Sequence, residues 1–283
     1  MLSQRSIVLS AALLAMTLLN GVIAATAGCG KTPTLRAGTQ TMTVNGKSRQ
    51  WILTLPQNYN NTNPYRLIFG LHWLGGNFQD MVNGATIRPY YGLQQLSNNS
   101  AIFVAPNGLN NGWANSGGED ITFVQQMLQT LDADLCINEK LRFSTGFSYG
   151  GAMSYSIACT LGKTFRAVGV LSGALLSGCA GGSDPVAYYG QHGVSDSVLN
   201  IAQGRQLRDT FIRNNGCTAQ NAPEPAKGSR THIKTVYSGC AADKPVIFNA
   251  FDGDHVPTPT DGGSNKDTTF TGTEVWNFFS QFK

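Results

Sequence analysis

Charge is scarce in this chain: Asp, Glu, Lys and Arg make up 13% of its 283 residues, and the net balance is only +4. No run of Lys or Arg concentrates that small excess, so the sequence lacks both the electrostatic footprint of a nucleic-acid binder and the basic patch of a membrane-surface protein. Neither a C-x-x-C pair nor an H-E-x-x-H spacing occurs, which removes the usual donor sets of structural and catalytic zinc, and no metal or cofactor is expected. A Ser/Thr-rich linker leading to a separate binding module is also missing.

What is present suits one large core. With 41% hydrophobic residues, a chain of this length is an ordinary size for a single α/β domain and does not require two. Arg5 precedes an apolar stretch at 7–16, and small residues follow around Ala25-Thr26-Ala27. This pattern reads as a secretory leader over residues 1–27, too short for a confident membrane span, followed by one domain over residues 28–283 and an extracellular location. Cys29, Cys136, Cys159, Cys179, Cys217 and Cys240 all lie beyond the leader. An even number of cysteines in an exported chain predicts three disulfides; Cys217 with Cys240 is the one pairing offered, because it closes a local Pro-rich excursion. Asn60-Asn61-Thr62 and Asn98-Asn99-Ser100 are glycosylation acceptors in a eukaryotic host.

Asn45-Gly46 sits between extended stretches at 41–44 and 49–55 and predicts a hairpin. Apolar runs at 66–72, 101–106, 141–145, 167–171, 186–191 and 245–251 read as buried strands, and 121–134, 152–159, 197–214 and 272–282 as helices. The alternation predicts an α/β fold: a mostly parallel central sheet with helices on both faces, led by an N-terminal antiparallel hairpin.

Gly146-Phe147-Ser148-Tyr149-Gly150 joins one of these strands to a helix. The G-x-S-x-G pattern is weak in a glycine-rich chain, but in this setting it reads as a strained turn that holds a serine hydroxyl out toward substrate, making Ser148 the candidate nucleophile. A serine needs an imidazole to take its proton and a carboxylate to fix the imidazole's tautomer. His255 is the preferred base, because it follows a strand in the loop Phe251-Asp252-Gly253-Asp254-His255. His232 lies in a polar segment and reads as solvated, and His192 as a pocket-wall or hydrogen-bonding residue. Asp196, in the loop after the preceding strand, is the preferred acid; its bland alternative is a helix N-cap. Asp184, Asp252 and Asp254 are rivals, the first poorly placed and the other two too close to His255 along the chain.

Acyl transfer also needs N–H donors aimed at an oxyanion. One is the backbone N–H of Tyr149, after the nucleophile. The loop Leu71-His72-Trp73-Leu74-Gly75-Gly76 offers the second, from Leu74 or, in the neighbouring register, Trp73. Trp73, Trp113 and Tyr149 are expected to line the site, while Tyr188 and Tyr189 line it or fill the core. The glycine- and amide-rich segment at 107–113 reads as a binding loop or a plain surface loop.

Taken together, the stretches 71–77 and 136–152 and the loops carrying Asp196 and His255 resemble secreted α/β-hydrolase esterases of the fungal feruloyl esterase type, over nearly the whole chain beyond the leader. Similar frameworks occur in acetyl xylan esterases and extracellular polyhydroxybutyrate depolymerases. The resemblance implies hydrolysis of hydroxycinnamate esters, as small molecules or on plant cell-wall arabinoxylan or pectin, with Ser148 as nucleophile, His255 as base and Asp196 as acid; a monomer is expected. Trp73 departs from the pattern, standing where related esterases often place a small glycine after the loop histidine. A serine peptidase and a noncatalytic carbohydrate-binding protein are the rival classes.

Overall fold

The computed structural model describes residues 24–283, so most of the predicted leader lies outside the described residues. Nine strands form one sheet in the order β1-β2-β4-β3-β5-β6-β7-β9-β8. They are β1 (Gly38–Val44), β2 (Lys47–Thr54), β3 (Tyr65–Leu71), β4 (Ala101–Pro106), β5 (Ile137–Phe147), β6 (Ala167–Leu171), β7 (Ala187–Gly193), β8 (His232–Val236) and β9 (Val246–Phe251). The six strands from β4 to β9 in that order run parallel, whereas β1, β2 and β8 are antiparallel to their neighbours. The expected hairpin therefore forms, with Asn45 and Gly46 both at positive φ, 49° and 76°, in its turn.

Helices cover both faces: α1 (Leu93–Leu96), α2 (Glu119–Asp134), α3 (Tyr149–Thr160), α4 (Ile201–Asn214) and α5 (Thr271–Ser280). Successive residues of the central strands point to opposite faces, so one run of apolar residues feeds two cores. On β4, Ile102 and Val104 join the core under α2 and α3, while Phe103 and Ala105 join the one under α1 and α5. A third cluster joins α3 and α4 through Tyr155, Phe211 and Tyr188. Tyr188 and Tyr189 are both fully buried, so both are core residues.

Three disulfides form: Cys29–Cys136, Cys159–Cys179 and the anticipated Cys217–Cys240. Residues 24–27, read from sequence as the end of the leader, pack onto the domain. Ala25 pairs with Asn138, and the Thr26 N–H donates to the Ile137 carbonyl at 3.0 Å. The Thr26 hydroxyl is buried and accepts from the Ile137 N–H at 2.9 Å.

Candidate active site

Only Ser148 separates β5 from α3, and it holds φ 56° and ψ −118°, a conformation that side chains rarely tolerate. The flanking glycines are a steric requirement of this turn. A Cβ on Gly146 would lie 2.4 Å from the Gly150 carbonyl carbon, and one on Gly150 would lie 2.3 Å from the Leu71 oxygen and 2.6 Å from that of His72. The elbow is thus seated directly on the end of β3. On its other side, the Ser148 N–H donates to Leu171 at the end of β6, at 2.9 Å.

Asp196 and His255 come from the loops after β7 and β9, whose ends are adjacent in the sheet through the pair Gly193↔Phe251. His255 donates from Nδ1 to Asp196 Oδ2 at 2.7 Å, which leaves Nε2 with the lone pair a base requires. Its ring stands 4.5 Å from that of Phe147, the residue before Ser148, so elbow and imidazole share one rim. Among the described residues the Ser148 hydroxyl makes no hydrogen bond to the imidazole, whose Nδ1 is held by Asp196.

The side chain of Asp196 is fully buried. Burial alone raises a carboxyl pKa, but hydrogen bonds from His192, His255 and the Leu199 amide outweigh it and hold this carboxyl well below its ordinary range. Its Oδ1 accepts from the amides of Val198 at 3.0 Å and Leu199 at 2.7 Å, and its Oδ2 lies 3.2 Å from His192 Nε2. His192 is therefore a hydrogen-bonding residue beneath the acid, its Nε2–H also donating to the Leu199 carbonyl at 2.6 Å. The helix N-cap is not Asp196 but Asn200, whose side chain accepts from the Ala202 amide. Among the rivals, Asp254 accepts from Ser197 and Asp252 from the Arg230 amide. His232 pairs with Asp261 at 2.7 Å and stacks on Phe270, outside this group.

The loop after β3 is braced from within. His72 is fully buried and neutral: its Nδ1–H donates to the Trp73 carbonyl at 2.8 Å, and Nε2 accepts from the Gly108 amide at 2.9 Å. Burial pushes its pKa down to about 4, the Trp73 hydrogen bond opposing only in part. Gly75 donates to the Asn111 carbonyl at 2.8 Å, so the segment at 107–113 is tied to this loop. Past the end of that segment, Asn115 links the buried Arg49–Asp120 pair to the Ser177 carbonyl. The backbone N–H groups of Trp73, Leu74 and Tyr149 have no protein acceptor among the described residues.

Feruloyl esterase D of Neurospora crassa is 51% identical to this chain over 95% of its length and 96% of the relative's. Feruloyl esterase C of Emericella nidulans is 48% identical over 89% of this chain and 90% of that one. The chain belongs to the feruloyl esterase family. It is a carboxylesterase, although no protein-family model matches it. Among solved structures, an acetyl xylan esterase from Aspergillus awamori aligns with a TM-score of 0.64 at 15% identity, over 86% of this chain and 99% of that one. That likeness, together with the sheet order, establishes the α/β-hydrolase fold.

In this feruloyl esterase the three aromatics expected at the site differ in burial. Trp113 is fully buried; its indole N–H donates to the His72 carbonyl at 2.8 Å. Trp73 is half-buried, with its ring packed where a Cβ on Gly76 would come within 3.0 Å. Tyr149 is half-buried against Gly112. Leu175, Leu176 and Val198, on the loops after β6 and β7 and not singled out by the sequence, are with Leu74 after β3 between 42% and 64% exposed. Their only sequence signal is position, on loops following carboxyl ends of parallel strands.

Proposed function

We propose that this protein is a secreted, monomeric esterase that releases ferulic and related hydroxycinnamic acids from plant cell-wall polysaccharides through a covalent acyl-enzyme. Ser148 attacks the ester carbonyl while His255 Nε2 takes its proton. The Tyr149 N–H and the Leu74 N–H stabilise the oxyanion, and the same imidazole protonates the departing alcohol. Water, activated by His255, then attacks the acyl-serine and releases the acid. The observation that carries the reading is the 2.7 Å contact between a buried, ionised Asp196 and His255, on the rim that holds the strained Ser148.

Leu74, Leu175, Leu176 and Val198 are exposed on loops that follow the parallel strands β3, β6 and β7, and apolar surface there favours an aromatic acyl group over acetyl. The similarity to relatives called feruloyl esterases points the same way. Three disulfides fit an oxidising, extracellular setting. In the test, Ser148→Ala loses turnover of methyl ferulate while its circular dichroism stays that of the parent. Retained turnover would dismiss Ser148 as nucleophile. Faster release from acetylated xylan, polyhydroxybutyrate or casein than from methyl ferulate would replace the substrate class.

A further inference from the structure

β3 and β5 are paired in parallel register up to Leu71↔Gly146 and then part, β3 into the His72–Leu74 loop and β5 into the Ser148 elbow. At the point of parting stands the side chain of Tyr91. Its hydroxyl donates to the Leu71 carbonyl at 2.8 Å and accepts from the Phe147 N–H at 3.0 Å. Those two backbone groups face each other across the strands, and the tyrosine oxygen occupies the place of a direct rung between them.

We infer that Tyr91 is a positioning residue for catalysis: its hydroxyl is a wedge that sets the separation between the oxyanion loop and the nucleophile. The inference rests on the reading of Ser148 and Leu74 given above. The fold goes out of its way to hold this group. Tyr90 and Tyr91 both have left-handed backbone, φ 51° and 59°, a region that bulky residues rarely enter. Small residues on either side make room for them. A Cβ on Gly70 of β3 would come within 2.7 Å of the Tyr90 ring, and one on Gly272 of α5 within 2.7 Å of the Tyr91 carbonyl oxygen. Tyr91 is 3% exposed, and burial raises its pKa, so the hydroxyl stays protonated and its donor direction is fixed.

A buried tyrosine that only satisfies two backbone groups would affect stability alone. A wedge also affects the chemical step, because a direct rung would draw Leu71 toward Phe147 and move the Leu74 N–H relative to Ser148. Tyr90 supplies the control, being equally buried and strained but with its hydroxyl 2.9 Å from Thr54 Oγ1, away from the parting strands.

Tyr91→Phe is expected to lower kcat for methyl ferulate by roughly 10- to 100-fold with KM within about twofold, as for an interaction made only in the transition state. The rate of Ser148 phosphonylation by a fluorophosphonate falls in parallel. Tyr90→Phe lowers Tm without lowering kcat. Parent kcat and phosphonylation rate in folded Tyr91→Phe, or an equal kcat loss in Tyr90→Phe, overturns the wedge while leaving Ser148 in place. Peptide mapping of the label in the parent separates the two ideas, since a label away from Ser148 removes the underlying reading instead. If Tyr91→Phe does not accumulate folded, p-aminophenylalanine at position 91, which keeps a donor but offers only a feeble acceptor, is measured in its place. Lowered kcat there supports the wedge, and parent kcat overturns it.

Discussion

The Asp196 carboxylate is buried and still ionised because every direction around it is occupied by a donor. Its charge can stabilise an imidazolium only if His255 keeps its proton on Nδ1, which is what the 2.7 Å bond enforces. Asp196→Asn preserves the shape but places an amide where an acceptor is needed and so favours the wrong tautomer. Turnover of methyl ferulate should fall by on the order of 10⁴-fold, short of complete loss, with the fold retained; a loss below tenfold in steady-state rates would deny Asp196 this part. His72 shows the reverse case, a histidine held neutral. Its folded pKa near 4 lies below the ordinary value of 6.5, so between those limits the unfolded chain binds a proton that the native one refuses. Its contribution is complete above pH 6.5 and falls away as the pH drops toward 4, by about 3 kcal/mol in all. Urea unfolding between pH 7 and pH 4 should therefore show a shallower acid loss in His72→Gln than in the parent. Equal slopes would contradict the assignment. Ser148, Asp196 and His255 can be singled out in the sequence because chain order and strand ends narrow the choice, and their catalytic parts belong to the proposal above. The settings of Trp113 and Tyr91 were not legible, since each is defined by a partner distant in sequence and by burial.

Elements were read well wherever they are buried on both faces. The central strands carry uninterrupted apolar runs, and the sequence places them within a few residues of their observed limits, as with Ala101–Pro106. β8 was missed because an edge strand is paired on one side only and can be polar: its sequence, His-Ile-Lys-Thr-Val, reads as a loop until β9 lies beside it. The sequence suggests a start for α4 at residue 197, where Asp196 resembles a cap, but the helix begins at Ile201 because the Asp196 carboxylate is used by the Val198 and Leu199 amides of the preceding turn. The junction of β5 and α3 invites a direct test. A methyl group on Gly150 has no room against the Leu71 and His72 carbonyls, so Gly150→Ala must push the elbow off β3. A displacement near 1 Å is worth about 100-fold in rate. Steady-state kinetics should show that loss in kcat, and an unaltered kcat would mean that the elbow is not held by this contact.

At the scale of the whole molecule, a six-stranded parallel core brings four loops to one rim, and the disulfides hold the chain around it. Cys29–Cys136 spans 107 residues and Cys217–Cys240 only 23. On the loop-entropy account, removing the first should cost about 5 kcal/mol and the second about 3. Paired Cys→Ser variants compared by denaturant unfolding should rank in that order, and the reverse ranking would show that native-state contacts outweigh loop length here. The amino-acid sequence by itself determined the strand and helix alternation, the strained glycine-flanked serine and the placing of Asp196 and His255 on loops after strands, because periodicity, sterics and chain order are local or one-dimensional. Only the tertiary structure decided that Trp113 is buried with its indole on the His72 carbonyl, that residues 24–27 pack against β5, that Leu74, Leu175, Leu176 and Val198 are exposed and that a tyrosine oxygen stands between β3 and β5. Each of these depends on which surfaces meet, and that is fixed only when the sheet closes its register and the helices settle on it.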